Sequence, residues 1–181
     1  MRLTILACVA AGPLWAGACP EPPDHSAAMS ELIDAARAAP DEATGRALSD
    51  DMWALWADAP DDKAQDLLNE AMARRRVADY EGALAAADAL VAYCPEYSEG
   101  YNQRAFIHFL KQDFSAALPD LERTLELTPR HTAALTGQAL TLSALGRNAE
   151  ATLSLREALT FNPWLSERHL LPQLEQQEQD L

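Results

Sequence analysis

The chain has 181 residues, of which 49% are apolar and only seven are glycine. Its formal charge is −14 at neutral pH, and the acidic residues are spread along the whole chain. This composition favours a helical, soluble protein of about one domain, and it excludes binding to a nucleic-acid backbone, which depends on lysine and arginine.

Residues 1–18 have the pattern of an export signal. Arg2 is followed by the apolar run 3–11, and residues 16–18 (Ala-Gly-Ala) form a small-x-small cleavage site. The apolar run is too short to cross a bilayer as a helix. We therefore predict cleavage after Ala18 and a periplasmic or secreted mature protein. The alternative is a cytosolic protein with an apolar first helix.

The mature chain would begin at Cys19 and contain one further cysteine, Cys94. Two cysteines in an exported protein suggest a disulfide, and the proline-rich tether 19–25 is long enough to let Cys19 reach Cys94 at the end of a helix. Two alternatives stay open. Cys94 is buried and unpaired, or Cys19 is acylated as in bacterial lipoproteins, although Ala16 stands where these normally have leucine.

Residues 26–62 are predicted to form a helical hairpin, with a break between the two helices at Pro40. The hairpin is roughly as long as one of the regular units that follow it, so we interpret it as a degenerate leading unit. We expect Trp53 and Trp56 to lie in the core, packed on the first regular unit, because large aromatic residues at helical spacing usually do so.

Three regular units of 34 residues follow, at 64–97, 98–131 and 132–165. Each unit has proline at one fixed position and alanine at two others. These residues are Pro95, Pro129 and Pro163; Ala71, Ala105 and Ala139; and Ala83, Ala117 and Ala151. Small side chains allow helices to cross closely, and proline ends a helix, so the pattern predicts a stack of antiparallel helix pairs.

The period, the small residues and the closing proline resemble the tetratricopeptide repeat (TPR) over about 100 residues. The resemblance implies an all-α fold, a right-handed α-solenoid of antiparallel helix pairs that begins with the degenerate hairpin 26–62. The stretch 166–181 resembles the capping helix that often closes such arrays.

The resemblance also implies a concave groove for a partner. In TPR arrays the first helix of each unit lines this groove through positions 2, 5, 9 and 12, which share one helix face. The predicted groove residues are Leu68, Met72, Arg75, Asn102, Phe106, Phe109, Thr136 and Leu140, and Glu99 occupies the first of these positions in the second unit. The alternative is that the hairpin or the capping helix covers Phe106 and Phe109.

No pattern typical of catalysis is present in the sequence. The four histidines lack metal-ligand spacing, and there is neither a glycine-rich phosphate loop nor a Gly-x-Ser-x-Gly turn. We predict a non-enzymatic protein without a metal, a cofactor or a small-molecule substrate. Its expected partner is a peptide or helical segment of another protein.

Two functional hypotheses remain. The first is a periplasmic TPR module that holds a segment of a partner protein in its groove, as an envelope assembly or maturation helper. The second is a lipoprotein scaffold that contacts the membrane through an acylated Cys19. We expect membrane attachment only in the second case.

Overall fold

The computed structural model describes residues 18–179, and this part of the chain folds into helices without a β-strand. The predicted export signal lies outside the described residues except for Ala18. The helices are α1 (Ser26–Ala38), α2 (Glu42–Trp56), α3 (Asp62–Arg76), α4 (Tyr80–Tyr93), α5 (Ser98–Leu110), α6 (Phe114–Leu127), α7 (Thr132–Ala144), α8 (Asn148–Phe161), a short 3-10 helix (Ser166–Leu170) and α9 (Leu171–Gln179). Among the described residues, no helix has both the length and the apolar composition that crossing a bilayer requires.

Side-chain caps determine where five of these helices begin. Four aspartates each accept a hydrogen bond of 2.8–3.3 Å from the backbone N–H three residues further on. They are Asp41, Asp61, Asp79 and Asp113. His131 caps α7 in the same way, because its Nδ1 accepts a 3.2 Å hydrogen bond from the N–H of Ala134. These bonds satisfy donors that a helix leaves unpaired, so the helix starts are encoded locally.

The three repeat hairpins turn through the same backbone conformation. Position 15 of each unit has a positive φ, at 59° for Ala78, 61° for Gln112 and 76° for Gly146. Glycine adopts this left-handed conformation without steric cost, whereas a Cβ atom is disfavoured there. The first two hairpins therefore contain local strain, which the packing of the helix pairs must offset.

Buried alanines bring the paired helices together. α3 packs on α4, α5 on α6 and α7 on α8. All six repeat alanines are at most 2% exposed. Ala71 and Ala83 share one hydrophobic cluster with Ile107, Ala105 and Ala117 share a second, and the alanines of the third unit share another. The predicted close crossings are confirmed.

The stack curves towards the first helix of each pair. α3 contacts α5, and α5 contacts α7, across successive units. These three helices form the concave side of the stack, which we call the inner wall. At the far end, α9 packs on α8 and buries Leu174 against Leu155, so the array is closed by a capping helix.

The position of the hairpin α1–α2 corrects one prediction. Instead of stacking on the first regular unit, α1 contacts α8 at the end of the third unit. Trp56 is buried as expected, but its indole stacks on the imidazole of His131, with the ring centroids 3.9 Å apart. Arg37 Nε donates a 2.7 Å hydrogen bond to the carbonyl oxygen of Thr160. The hairpin therefore lies across the inner wall, and we call it the strap.

The strap is held at the third unit by polar contacts and by close packing. Asn162 Nδ2 donates hydrogen bonds to the carbonyl oxygen of Gly45 (3.1 Å) and to Ser49 Oγ (2.8 Å). Arg168 forms a 2.7 Å ion pair with Glu42. A Cβ atom at Gly45 would overlap Trp164, so this position admits only glycine unless the strap moves. The strap thus connects the N-terminal helices of the described chain with the third unit and the segment that follows it.

Candidate functional site

A pocket of about 440 Å³ lies on the inner wall, beside the strap. Its lining comes from α2, α3, α5 and α7 and from residues 165 and 167, with a contribution from α6 at the floor. The volume is within the range of roughly 300–1,000 Å³ that ligand pockets occupy. We call this cavity the inner-wall pocket.

Large apolar side chains surround the inner-wall pocket. Trp53 is 38% exposed and Phe106 is 44% exposed, although both have large apolar surfaces. Phe109 packs edge to face on Phe114, with the ring centroids 5.4 Å apart. The expectation that Trp53 lies in the core is wrong, because the strap places it at the pocket. Exposed aromatic residues grouped around one cavity are typical of an interaction site.

Small residues give the pocket its depth. Ala105 on α5 and Gly137 on α7 leave a crevice between the two helices, and Leu121 of α6 closes it from behind. A Cβ atom at Gly137 would lie 3.1 Å from Leu121 Cδ2, closer than an ordinary van der Waals contact. The floor of the pocket is therefore apolar and depends on glycine at this position.

Arg75 is the cation of the pocket. Its guanidinium carbon lies 4.4 Å from the centroid of the Phe106 ring, which is a cation–π contact. Within the described part of the chain, the Arg75 guanidinium forms no ion pair and donates no hydrogen bond. Burial lowers the pKa of Arg75, and the negative charge of Glu99 opposes this effect. The pocket thus has a positive group with free donors at an apolar wall.

Glu99 and His131 form a fully buried pair beneath Trp56. Glu99 Oε2 lies 2.9 Å from His131 Nε2 and accepts a 3.0 Å hydrogen bond from Asn102, while Oε1 accepts one of 2.5 Å from Gln103. His131 Nδ1 accepts a hydrogen bond from the backbone, so Nε2 is the nitrogen that donates to Glu99. All four polar side-chain atoms of the pair have partners, so the pair offers no free group to a ligand and fixes the surface on which Trp56 stacks.

Two pocket residues have buried polar atoms without a partner. Gln103 Oε1 and Thr141 Oγ1 form no hydrogen bond with any described residue. Both residues line the inner-wall pocket, and they are 4% and 0% exposed. A buried polar atom without a partner is unfavourable, and in a pocket it indicates where a ligand could form hydrogen bonds.

Six of the eight predicted groove residues line the inner-wall pocket. They are Arg75, Asn102, Phe106, Phe109, Thr136 and Leu140. The other two do not, because Leu68 is fully buried in the core with Leu90 and Met72 packs against the same cluster. Among the residues that sequence reasoning missed are Trp53 of the strap and Glu167 of the 3-10 helix Ser166–Leu170. No periodic signal in the sequence places either segment at the inner wall.

The structure joins Cys19 and Cys94 by a disulfide, with the Cα atoms 5.1 Å apart. Tyr97, three residues after Cys94, donates a 2.8 Å hydrogen bond from its hydroxyl to the carbonyl oxygen of Trp56. The strap is therefore attached near the first unit as well as at the third. Among residues 18–179, no three histidine, cysteine or acidic side chains are grouped as they would be in a metal site.

The paired helices, the buried alanines and the curved inner wall define an all-α solenoid of the TPR type. No family model matches the chain. Over 70 residues the chain is 37% identical to a TPR repeat-containing protein of Rhizobium etli. The match covers 39% of this chain and 34% of the relative, so the chain spans about a third of that protein's length.

Solved TPR structures have the same fold. The TPR2B domain of yeast Sti1, in complex with Hsp70, superposes with a TM-score of 0.58 at 23% identity and covers 65% of this chain and 97% of that domain. The first TPR domain of Spaghetti (RPAP3), bound to an HSP90 peptide, superposes with a TM-score of 0.62 at 21% identity. The match covers 63% of this chain and 91% of that domain. MamA of Desulfovibrio magneticus superposes with a TM-score of 0.60 at 15% identity. The match covers 84% of this chain and 88% of the MamA chain. The three regular units are tetratricopeptide repeats in fold.

Proposed function

We propose that this chain is a non-enzymatic protein-binding module that holds an apolar side chain from a segment of a partner protein in the inner-wall pocket. The observation that carries the proposal is that the exposed rings of Trp53 and Phe106 surround a concave cavity together with the unpaired Arg75. Aromatic and arginine side chains in such cavities contribute most of the energy at many protein interfaces.

The choice of a peptide-bearing partner is supported by the structural neighbours. The RPAP3 domain was solved with an HSP90 peptide and the Sti1 domain in complex with Hsp70. In this chain the strap crosses the inner wall between the first and the third unit. An extended segment that follows the whole groove would collide with the strap, so we propose a short segment that inserts one anchoring side chain beside it.

We further propose that the protein works in the periplasm or outside the cell, as an envelope assembly or maturation helper. The sequence pattern of residues 1–18 supports export, and a disulfide between Cys19 and Cys94 is stable in an oxidising compartment. A lipoprotein scaffold would need the sulfur of Cys19 for the lipid. Intact mass of the purified protein distinguishes the two, since a disulfide removes two hydrogens whereas acylation adds a diacylglycerol group.

The proposal is tested by replacing the aromatic residues of the pocket. We expect Phe106→Ala and Phe109→Ala to leave the helix content almost unchanged, as judged by circular dichroism, and to abolish capture of a partner from envelope extract. Leu153→Ala is the matched control, because Leu153 is 63% exposed on α8, away from the pocket. The captured proteins are identified by mass spectrometry.

Only a partner that is lost with both phenylalanine variants and retained with Leu153→Ala supports the proposal. A photo-reactive amino acid at position 106, with a second one at 153 for comparison, then locates the contact. If both phenylalanine variants retrieve the same proteins as the unmodified chain, the inner-wall pocket is not the binding site.

A further inference from the structure

We infer that the anchor held by the inner-wall pocket is a tyrosine side chain that has a carboxylate next to it in the partner segment. This inference rests on the proposed function, because it specifies the chemistry of the segment that the same pocket holds. Three features of the pocket carry it: its aromatic walls, its unpaired cation and its two buried polar atoms without partners.

The walls and floor of the pocket favour a flat ring. Trp53, Phe106 and Phe109 provide aromatic surfaces, and the crevice between α5 and α7 ends at Leu121. An aromatic ring that enters this crevice can form offset or edge-to-face contacts, which are favourable beyond the burial of apolar area. A charged side chain at the apolar end of the crevice, against Leu121, would lose its water without compensation.

The unpaired guanidinium of Arg75 favours a carboxylate in the partner segment, next to the anchoring side chain. The guanidinium lies over the Phe106 ring and forms no ion pair with a described residue, although Glu167 lines the same pocket and the negative charge of Glu99 acts on it. Other arginines do have such partners, as Arg104 does with Asp120 at 2.6 Å. The planar guanidinium matches a carboxylate through two parallel hydrogen bonds. A partner's aspartate or glutamate would therefore complete this site.

The two buried polar atoms without partners distinguish tyrosine from phenylalanine. Gln103 Oε1 can only accept a hydrogen bond, whereas the Thr141 hydroxyl can donate or accept. A phenol hydroxyl is the aromatic group that both donates and accepts, so it complements either atom. A phenylalanine ring would leave both atoms unpaired, which is unfavourable in a buried site.

The test uses four short synthetic peptides and the disulfide-bonded protein. The reference peptide is acetyl-Gly-Tyr-Asp-Gly-amide, and the others replace its tyrosine by phenylalanine, its tyrosine by tryptophan, or its aspartate by asparagine. Binding is followed by the NMR shifts of isotope-labelled protein. We expect the reference peptide to shift resonances around Phe106 and Gln103. The phenylalanine peptide should bind roughly fivefold more weakly and the asparagine peptide roughly tenfold more weakly.

Two protein variants assign each preference to its residue. Thr141→Val keeps the shape of the side chain and removes the unpaired hydroxyl. We expect it to reduce the preference for tyrosine over phenylalanine, which the loss of a hydroxyl without a binding role would not do. The thermal midpoint should stay the same or rise, because the hydroxyl has no partner in the protein. Arg75→Met should remove the preference for aspartate over asparagine. Arg76→Met is its matched control, because Arg76 is exposed and lies outside the pocket.

The outcomes separate this inference from the proposed function. If the phenylalanine or asparagine peptide binds at the pocket as tightly as the reference, or the tryptophan peptide binds more tightly, the inference is wrong and the pocket remains a protein-binding site. If no peptide shifts the pocket resonances while capture still depends on Phe106, the inference is also wrong. Capture that does not depend on Phe106 overturns the proposed function itself.

Discussion

The attachment of the strap depends on His131, and His131→Phe is the perturbation that tests it most directly. A phenylalanine ring can still stack on Trp56, so most of the apolar contact is retained. Both ring nitrogens are lost, however. Glu99 then lacks one of its three hydrogen-bond donors, and α7 loses its cap at Ala134.

The expected cost follows from the burial of the pair. The side chains of Glu99 and His131 are both 0% exposed, so the carboxylate cannot recover the lost bond from water. Losing one hydrogen bond to a buried charged group typically costs about 1.5–3 kcal/mol, and loss of a helix cap about 1 kcal/mol. Because these contributions overlap, we expect His131→Phe to lower the free energy of unfolding by about 2–4 kcal/mol.

The assay is urea unfolding under non-reducing conditions, followed by far-UV circular dichroism. Hydrogen exchange should show the largest loss of protection in α1, α2 and the first turn of α7. The matched control is His108→Phe, because His108 Nδ1 forms no hydrogen bond with a described residue and only a long, 3.6 Å contact with the exposed carboxylate of Asp113. Replacing such an atom by an apolar group should cost little or nothing.

A double-mutant cycle with Glu99→Gln isolates the pair. In the unmodified protein, Glu99→Gln should be destabilising because a side-chain amide cannot accept all three hydrogen bonds. In the His131→Phe background it removes a poorly compensated buried charge, so its cost should fall by about 1.5 kcal/mol. Additive effects, or a loss below about 1 kcal/mol for His131→Phe, would refute the reasoning.

Two further predictions concern the repeat hairpins and the helix caps. Ala78→Gly should raise the free energy of unfolding by about 0.5–1 kcal/mol, because Ala78 has a φ of 59°, and urea unfolding measures the change. Asp61 has a lowered pKa, first because it accepts a hydrogen bond from the N–H of Ala64. Its contribution to stability is therefore complete above the unfolded-state pKa of roughly 3.9 and is lost as the pH falls through the lower folded value. Asp61→Asn should flatten this part of the stability curve between about pH 5 and 2, and an unchanged slope would contradict the assignment.

The helix pairs could be predicted from the sequence because their signals are local or strictly periodic. The caps act within three residues, as at Asp61 and Asp79. The alanines recur every 34 residues, and each one is buried where two helices cross. The conformation of the hairpin turns was harder to predict. Of the three positions with positive φ, only position 146 is glycine, the residue that favours this conformation, whereas the others are Ala78 and Gln112.

The candidate site was only partly predictable. The repeat pattern identified Arg75, Phe106 and Phe109, because positions on one face of a helix keep that face in every unit. It assigned Leu68 to the same face, but Leu68 is buried with Leu90 in the core. The pattern describes which side of a helix faces inwards, and it does not state how far the neighbouring helices cover that side.

The sequence by itself determined the order of the helices, their starts and their close crossings. Only the tertiary structure decided where the hairpin α1–α2 lies, and with it the shape of the inner-wall pocket. The contacts that hold the hairpin connect distant residues, since Asn162 and Gly45 are 117 positions apart. Such contacts have no periodicity along the chain, because they depend on the curvature that the repeats acquire only after they have stacked.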